Sequence, residues 1–176
     1  MNKIKINKIS KEVYQTKGFD EKGCYGCSCD DACCKYGCDV DKESLILIFE
    51  NRNIIESKTG IKLENCFERK FSNDKEFLGK NSKVSKIGKN GYCIFHKKEG
   101  KGCNLYEVVL ENKINRRLIP SICRMFPISW DKGRIIMYDE MGIEIPPTCN
   151  IFDKENATIK NIFETQKNEM EDIFEI

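Results

Sequence analysis

The sequence predicts a small single domain of the α+β class, spanning residues 1–176 and built from helices and short β-hairpins. Apolar residues recur at helical spacing in two stretches, one after Asp41 and one near the C-terminus. Alternating stretches around Gly-containing turns, at 83–95 and 128–138, indicate hairpins. A length of 176 residues, with 33% charged and 40% apolar residues, suits one globular domain.

The first half of the chain begins with a predicted short strand, marked by isoleucines at positions 4, 6 and 9. A helix is predicted from Asp41, which is a good N-cap residue, to Gly60, which can end the element. Its buried stripe is expected to contain Leu45, Ile48, Phe49 and Ile55. The lysine-rich tract beyond residue 61 is interrupted by acidic residues and is interpreted as a solvated loop.

The second half is predicted to begin with a hairpin, in which Asn90-Gly91 forms a type I′ turn between 83–87 and 92–95. Asn104 is predicted to cap a helix, with Glu107 completing a variant capping box. A second hairpin is predicted at 128–138, followed by an amphipathic C-terminal helix at about 155–175. That helix is expected to place six apolar residues on one face: Ile159, Ile162, Phe163, Met170, Ile173 and Phe174.

Cysteine is the one anomaly in the composition, with 11 residues. Six of them lie in one short run whose other residues build no apolar core: Cys24, Cys27, Cys29, Cys33, Cys34 and Cys38. The run is therefore either a set of disulfides or a metal site. The N-terminus has no apolar signal region, which predicts a cytoplasmic location where thiols stay reduced. We therefore favour a metal site over disulfides or a redox switch.

Cysteine spacing supports this interpretation. Cys24-x-x-Cys27 is a common two-ligand arrangement for one metal ion. The adjacent pair Cys33-Cys34 suits two metals, a polynuclear cluster, or one ligand beside a bystander. Four further cysteines follow later in the chain, each near a Gly, a Pro or a predicted turn: Cys93, Cys103, Cys123 and Cys149.

These motifs resemble the zinc- or iron-chelating cysteine-cluster family, also called the CxxCxxCC or YkgJ-like family. The family has C-x-x-C followed by a vicinal pair, then C-x-F, C-x-[IL]-Y-E and P-x-x-C-R-x-F-P. The residues of this chain that match occur in the same order: Cys24, Cys27, Cys33, Cys34, Cys93–Phe95, Cys103–Glu107 and Pro120–Pro127. The chain departs from the pattern at two places. Five residues separate Cys27 from Cys33 where the family has two, and an insertion at 108–119 precedes Pro120.

The resemblance implies a cytoplasmic metal-binding protein of no settled activity, holding zinc, iron or an iron–sulfur cluster. The matched cysteines, together with Cys149, are the expected ligands, whereas Cys29 and Cys38 are expected to be partly dispensable. Cys123 and Cys103 are expected to share a centre with the first run, and Arg124 to offset its charge. The flagellin lysine-N-methylases resemble the same cysteine pattern, which leaves open a metal-dependent, methylase-like transferase.

The remaining alternatives concern partners and single residues. A zinc-stabilised protein-interaction module remains an alternative interpretation, although such modules usually have two C-x-x-C pairs and this chain has one. A net charge of +2 predicts no nucleic-acid partner, and the longest apolar run, 45–49, is too short to predict a membrane span. Cys66 is interpreted as a buried apolar residue. His96, the only histidine, is interpreted as a surface or packing residue slightly in preference to a ligand.

Overall fold

The computed structural model describes residues 3–20, 24, 31–71 and 82–176. The chain divides into two compact units, one formed by 1–30 together with 124–176 and the other by 31–123. Both units combine helices with short strands, which confirms the predicted α+β class. The prediction that 1–176 forms a single domain stays a prediction.

The unit formed by the two ends of the chain contains two small sheets. Strand β1 (Ile4–Lys5) pairs in parallel with the last strand, β8 (Phe174–Glu175). Strand β2 (Lys8–Ile9) pairs in parallel with β7 (Arg134–Met137), which forms a hairpin with β6 (Ile128–Asp131). The helices are α1 (Lys11–Gln15), α6 (Ile162–Thr165) and α7 (Lys167–Ile173).

The 31–123 unit contains the three-stranded antiparallel sheet β3–β5–β4. These strands are β3 (Asp39–Val40), β4 (Phe67–Phe71) and β5 (Lys83–Ser85). The helices α2 (Lys42–Glu50), α3 (Arg52–Thr59) and α4 (Asn104–Asn112) form its remaining regular structure, and α5 (Ser121–Met125) begins at its end. The fully buried apolar side chains of the unit make its core, among them Ile48, Ile55, Leu63, Phe95, Leu105 and Val108.

Several local predictions are confirmed. The Asp41 carboxylate accepts a hydrogen bond from the Ser44 backbone N–H at 3.0 Å, as expected of the N-cap of α2. Gly60 ends α3 in the left-handed conformation, which glycine adopts without a Cβ clash. The 128–138 hairpin forms, and its turn residues Lys132 and Gly133 both have positive φ, as a two-residue hairpin turn requires.

The predicted helix after Asp41 differs from the structure in two details. It consists of two helices, α2 and α3, which meet at Asn51. Phe49 is 42% exposed although it falls on the predicted stripe, whereas Ile48 and Ile55 are fully buried. The backbone of Asn51 is not helical, with φ −101° and ψ 22°, so the helical periodicity is interrupted there and a single stripe does not describe both helices.

The predicted 83–95 hairpin is wrong in its second strand. Residues 92–95 form no strand, although the Gly88 N–H donates to the Tyr92 carbonyl and the Ile94 N–H to the Lys86 carbonyl around an Ile87–Cys93 bridge. Strand β5 pairs with β3 and β4. Gly91 has a φ of +80°, but Asn90 is not in the left-handed region, so the turn is not type I′. The Cys93 N–H is not used in this bridge and donates to the Cys34 carbonyl of a distant segment.

Two helix boundaries also need correction. Cys103, not Asn104, is the N-cap residue of α4, and the Glu107 carboxylate pairs with Lys58 and Lys97 instead of closing a capping box. The C-terminal helix does not begin at 155; α6 starts after Asn161, whose side chain accepts from the Glu164 N–H. Ile159 precedes this cap and is 99% exposed.

Across the described part of the chain, every helix is too short or too polar to cross a bilayer.

Candidate metal centre

The 31–123 unit brings together six thiols from separate stretches of the chain. They come from the 3-10 helix Ala32–Tyr36, from the start of the sheet, from two loops and from α5: Cys33, Cys34, Cys38, Cys93, Cys103 and Cys123. Each of them interacts electrostatically with at least one other. Five of the eight predicted ligands therefore meet, and Cys38, which is expected from the sequence to be partly dispensable, is the sixth thiol of the group.

Backbone hydrogen bonds hold the cysteine stretches together. The Cys93 N–H donates to the Cys34 carbonyl at 2.7 Å, which joins the vicinal pair to the 93–103 loop. The Ser85 N–H donates to the Cys38 carbonyl at 2.9 Å, and the Cys38 N–H donates to Ser85 Oγ at 2.8 Å. The cysteine backbone is thus fixed by contacts with residues that are distant in sequence.

The vicinal thiols Cys33 and Cys34 form one pair. Cys34 donates a hydrogen bond to the Cys33 sulfur, which lowers the pKa of Cys33 below its usual value even though burial opposes ionisation. The same hydrogen bond, together with burial and the nearby Cys103 and Cys123, raises the pKa of Cys34 far above its usual value. Cys33 is therefore the more acidic thiol of the pair.

A second group surrounds Cys38. Its thiol donates to the Cys123 sulfur, which raises the pKa of Cys38, and it receives a hydrogen bond from Cys93. That donation and burial raise the pKa of Cys93. The hydrogen bond from Cys38 favours the thiolate of Cys123, but burial and neighbouring thiols raise the pKa of Cys123 overall. Ser85 Oγ lies 3.5 Å from Cys38 Sγ and 3.3 Å from Cys93 Sγ, so the hydroxyl bridges these two sulfurs.

Cys103 occupies the N-terminus of α4, as the sequence predicted. The backbone N–H groups of Tyr106 and Leu105 donate to its sulfur and favour the thiolate, as expected at a helix N-terminus. Burial and the neighbouring Cys93 outweigh them and raise the pKa of Cys103 to about 12. At neutral pH this thiol therefore keeps its proton unless a cation stabilises the thiolate.

The other predicted cysteines have different positions. Cys24 and Cys149 belong to the unit formed by the chain ends, in which Cys149 is 4% exposed. Cys27 and Cys29 lie outside the described residues, as does part of the lysine-rich tract. Cys66 is fully buried, as predicted, and its thiol donates to the Lys62 carbonyl at 3.6 Å. Burial raises the pKa of Cys66 to about 11.

Arg124, which was predicted to offset the thiolate charge, forms buried ion pairs within the unit of the chain ends. Its guanidinium is 4% exposed and pairs with the carboxylates of Glu169 and Asp172, the latter at 3.1 Å. Gln166 Nε2 donates to the Arg124 carbonyl at 3.2 Å. The offset of thiolate charge by Arg124 stays a prediction, and these contacts connect the residue with α7.

Three residues of the site were not identified from the sequence. Ser85 contacts Cys38 from a position 47 residues further along the chain. Asp31 directly precedes the helix with the vicinal pair, but it contacts Gly102 in the distant 93–103 loop. The Asp31 carboxylate lies 3.1 Å from His96 Nε2 and accepts the Gly102 N–H at 2.7 Å. Cys38 was identified as a thiol but not as a member of the group.

The donor chemistry of this group suits zinc or an iron–sulfur cluster, both of which take cysteine thiolates. Within the described ranges, however, no three His, Cys, Asp or Glu side chains stand in an arrangement that could hold a metal ion. Thiol hydrogen bonds instead connect Cys33 with Cys34, and Cys38 with Cys93 and Cys123. Metal binding through them therefore requires those thiol contacts to be replaced by bonds from thiolates to the ion.

Comparison with protein-family models, with curated proteins and with solved structures found no match to this chain. The resemblance to the cysteine-cluster family therefore stays a prediction.

Proposed function

We propose that this protein binds zinc or iron, including iron as an iron–sulfur cluster, through cysteines of the 31–123 unit. The observation that carries the proposal is the convergence of six thiols from four parts of one unit, at 33–38, 93, 103 and 123. Ordinary core packing would not select for thiols that hydrogen-bond one another beside a bridging serine.

Electrostatics gives the proposal its physical basis. Thiolates that share one site repel one another, and burial adds to the cost of ionising each. The raised pKa values of Cys38, Cys93 and Cys103 express this cost. A bound cation would remove it, because each proton lost is replaced by a sulfur–metal bond. A neutral cluster of thiols is thus converted into a multidentate ligand when a soft or borderline cation arrives.

Metal analysis of the full chain, purified without air, tests this function. We expect stoichiometric zinc or iron, and visible charge-transfer absorption if the metal is an iron–sulfur cluster. Cys123→Ala should lose metal, whereas Cys66→Ala, a matched variant at a buried thiol of the same unit, should keep it. Wild-type protein without transition metal, even after reconstitution with Zn²⁺ or Fe²⁺ and sulfide, would contradict the proposal.

A second candidate is a thiol–disulfide centre, which the lowered pKa of Cys33 favours. A Cys33 thiolate would attack an external disulfide and release one thiolate from it. A neighbouring thiolate would then displace the second, leaving a protein disulfide and reducing the oxidant to two thiols. Oxidised glutathione should then lower the protein mass by two hydrogens. Metal-loaded protein that resists this oxidation would favour the first candidate.

A further inference from the structure

The His96 imidazole is buried and has one ring nitrogen without a hydrogen-bond partner. Its side chain is 9% exposed, and Nε2 lies 3.1 Å from Asp31 Oδ2. Nδ1 is buried and has no partner among the residues that the structure describes. Nearly all buried polar atoms in proteins are satisfied, so an atom of this kind points to a ligand or to a functional constraint.

The contact with Asp31 decides which nitrogen carries the proton. A carboxylate only accepts hydrogen bonds, so the Nε2 that faces it must be an N–H donor. Asp31 is itself fixed, because it is 2% exposed and the Gly102 N–H donates to the same oxygen at 2.7 Å. The neutral ring is therefore held in the Nε2–H tautomer, and the lone pair of Nδ1 is available for a cation.

The backbone attaches His96 to the cysteine-bearing segments. Its N–H donates to the Cys93 carbonyl at 2.8 Å, and its backbone forms an antiparallel bridge with Cys103. Asp31 directly precedes the 3-10 helix with Cys33 and Cys34, and its φ of +54° is unusual for a residue other than glycine. Such backbone strain is concentrated at functional sites. One carboxylate thus connects the imidazole with the helix of the vicinal pair.

We propose that His96 Nδ1 is a nitrogen ligand of the metal centre, and that Asp31 is the positioning residue that holds Nε2. Metal-bound imidazoles generally donate their second N–H to a carboxylate, a carbonyl or a water. The inference rests on the proposed metal-binding function and adds to it a mixed sulfur and nitrogen ligand set. The competing explanation is a packing role, since the ring stacks on Tyr92 with centroids 4.4 Å apart.

Because the chain has one histidine, NMR can test the inference on the unmodified protein. The full chain, labelled with ¹⁵N and loaded with ¹¹³Cd²⁺, should show one-bond coupling between cadmium and His96 Nδ1, while Nε2 keeps its proton. Bound cadmium without this coupling would overturn the inference and leave the proposed function standing. Failure of the wild-type chain to bind cadmium would overturn both.

A pair of variants gives an independent readout. His96→Ala should weaken Co²⁺ binding by at least about tenfold, since even loss of a residue that only supports a ligand costs that much. It should also change the visible spectrum of the bound Co²⁺. Tyr92→Phe is the matched control: it keeps the stacked ring and should leave affinity and spectrum unchanged. A His96→Ala protein with the wild-type spectrum and affinity would show that the imidazole only packs.

Discussion

Asp41 is expected to be one of the most sensitive positions of the 31–123 unit. Its side chain is 2% exposed, and Oδ1 accepts the Ser44 N–H at the start of α2. Oδ2 accepts the Ser44 hydroxyl at 2.9 Å and the Ser121 backbone N–H at 3.0 Å. One carboxylate therefore caps a helix and also fixes the segment that leads into Cys123.

Asp41→Ala removes both functions. Loss of a helix N-cap costs about 1 kcal/mol. The buried Ser121 N–H then loses its acceptor, which costs about 1–3 kcal/mol because water does not replace the bond. We expect the free energy of unfolding to fall by about 2–4 kcal/mol in total. With a urea slope of about 2 kcal/mol/M, the midpoint should move down by about 1–2 M.

Urea denaturation followed by circular dichroism measures this change, with a chelator present so that metal binding does not contribute. Asn161→Ala is the matched control, because Asn161 caps α6 through a single acceptor bond to the Glu164 N–H in an exposed setting. It should cost about 1 kcal/mol. Equal losses for the two variants would refute the reasoning that the Ser121 contact adds to the cap.

Three further outcomes are expected. Ser121→Ala should leave the free energy of unfolding unchanged or raise it by about 1 kcal/mol in urea denaturation, because the buried Ser121 hydroxyl has no partner within the described residues. Arg124→Ala should cost about 3–5 kcal/mol by removing the buried guanidinium that pairs with the Glu169 carboxylate. Adding Glu169→Ala should recover part of that loss, and additive losses would contradict the ion pair. The pKa of Cys66 rises from 9.0 to about 11 on folding, so its contribution to stability is complete below pH 9 and disappears as pH rises through 11. Cys66→Ala should flatten that part of a stability–pH profile measured without metal, and an unchanged slope would contradict the shift.

Local signals predicted much of the secondary structure. The Asp41 cap, the Gly60 helix end and the 128–138 hairpin depend on neighbouring residues, so the sequence contains the whole interaction. The sequence did not reveal that the Cys93 N–H pairs with the Cys34 carbonyl, which lies far away along the chain. No periodicity within a short window can report such a partner.

The sequence likewise predicted some features of the candidate site, whereas others depend on contacts between distant residues. The crowding of cysteines among glycines and polar residues predicted a chemical role for the thiols instead of a packing role. The single histidine, His96, was recognised as a neighbour of Cys93 in sequence. Which thiols meet was not available from spacing, because Cys38 comes into the group only when β3 pairs with β5 and brings Ser85 to it. Asp31 likewise acquires its role only when the 93–103 loop folds against it.

The sequence by itself determined the α+β class, the Asp41 cap, the Gly60 helix end and the unusual concentration of cysteines. These properties follow from side-chain chemistry and from contacts a few residues apart, whose geometry the backbone largely fixes. Only the tertiary structure decided that Cys38 joins Cys93 and Cys123, and that a buried carboxylate orients His96. Such contacts close long loops, which costs conformational entropy. The packing of the whole unit offsets that cost, so no local sequence pattern reports the contact.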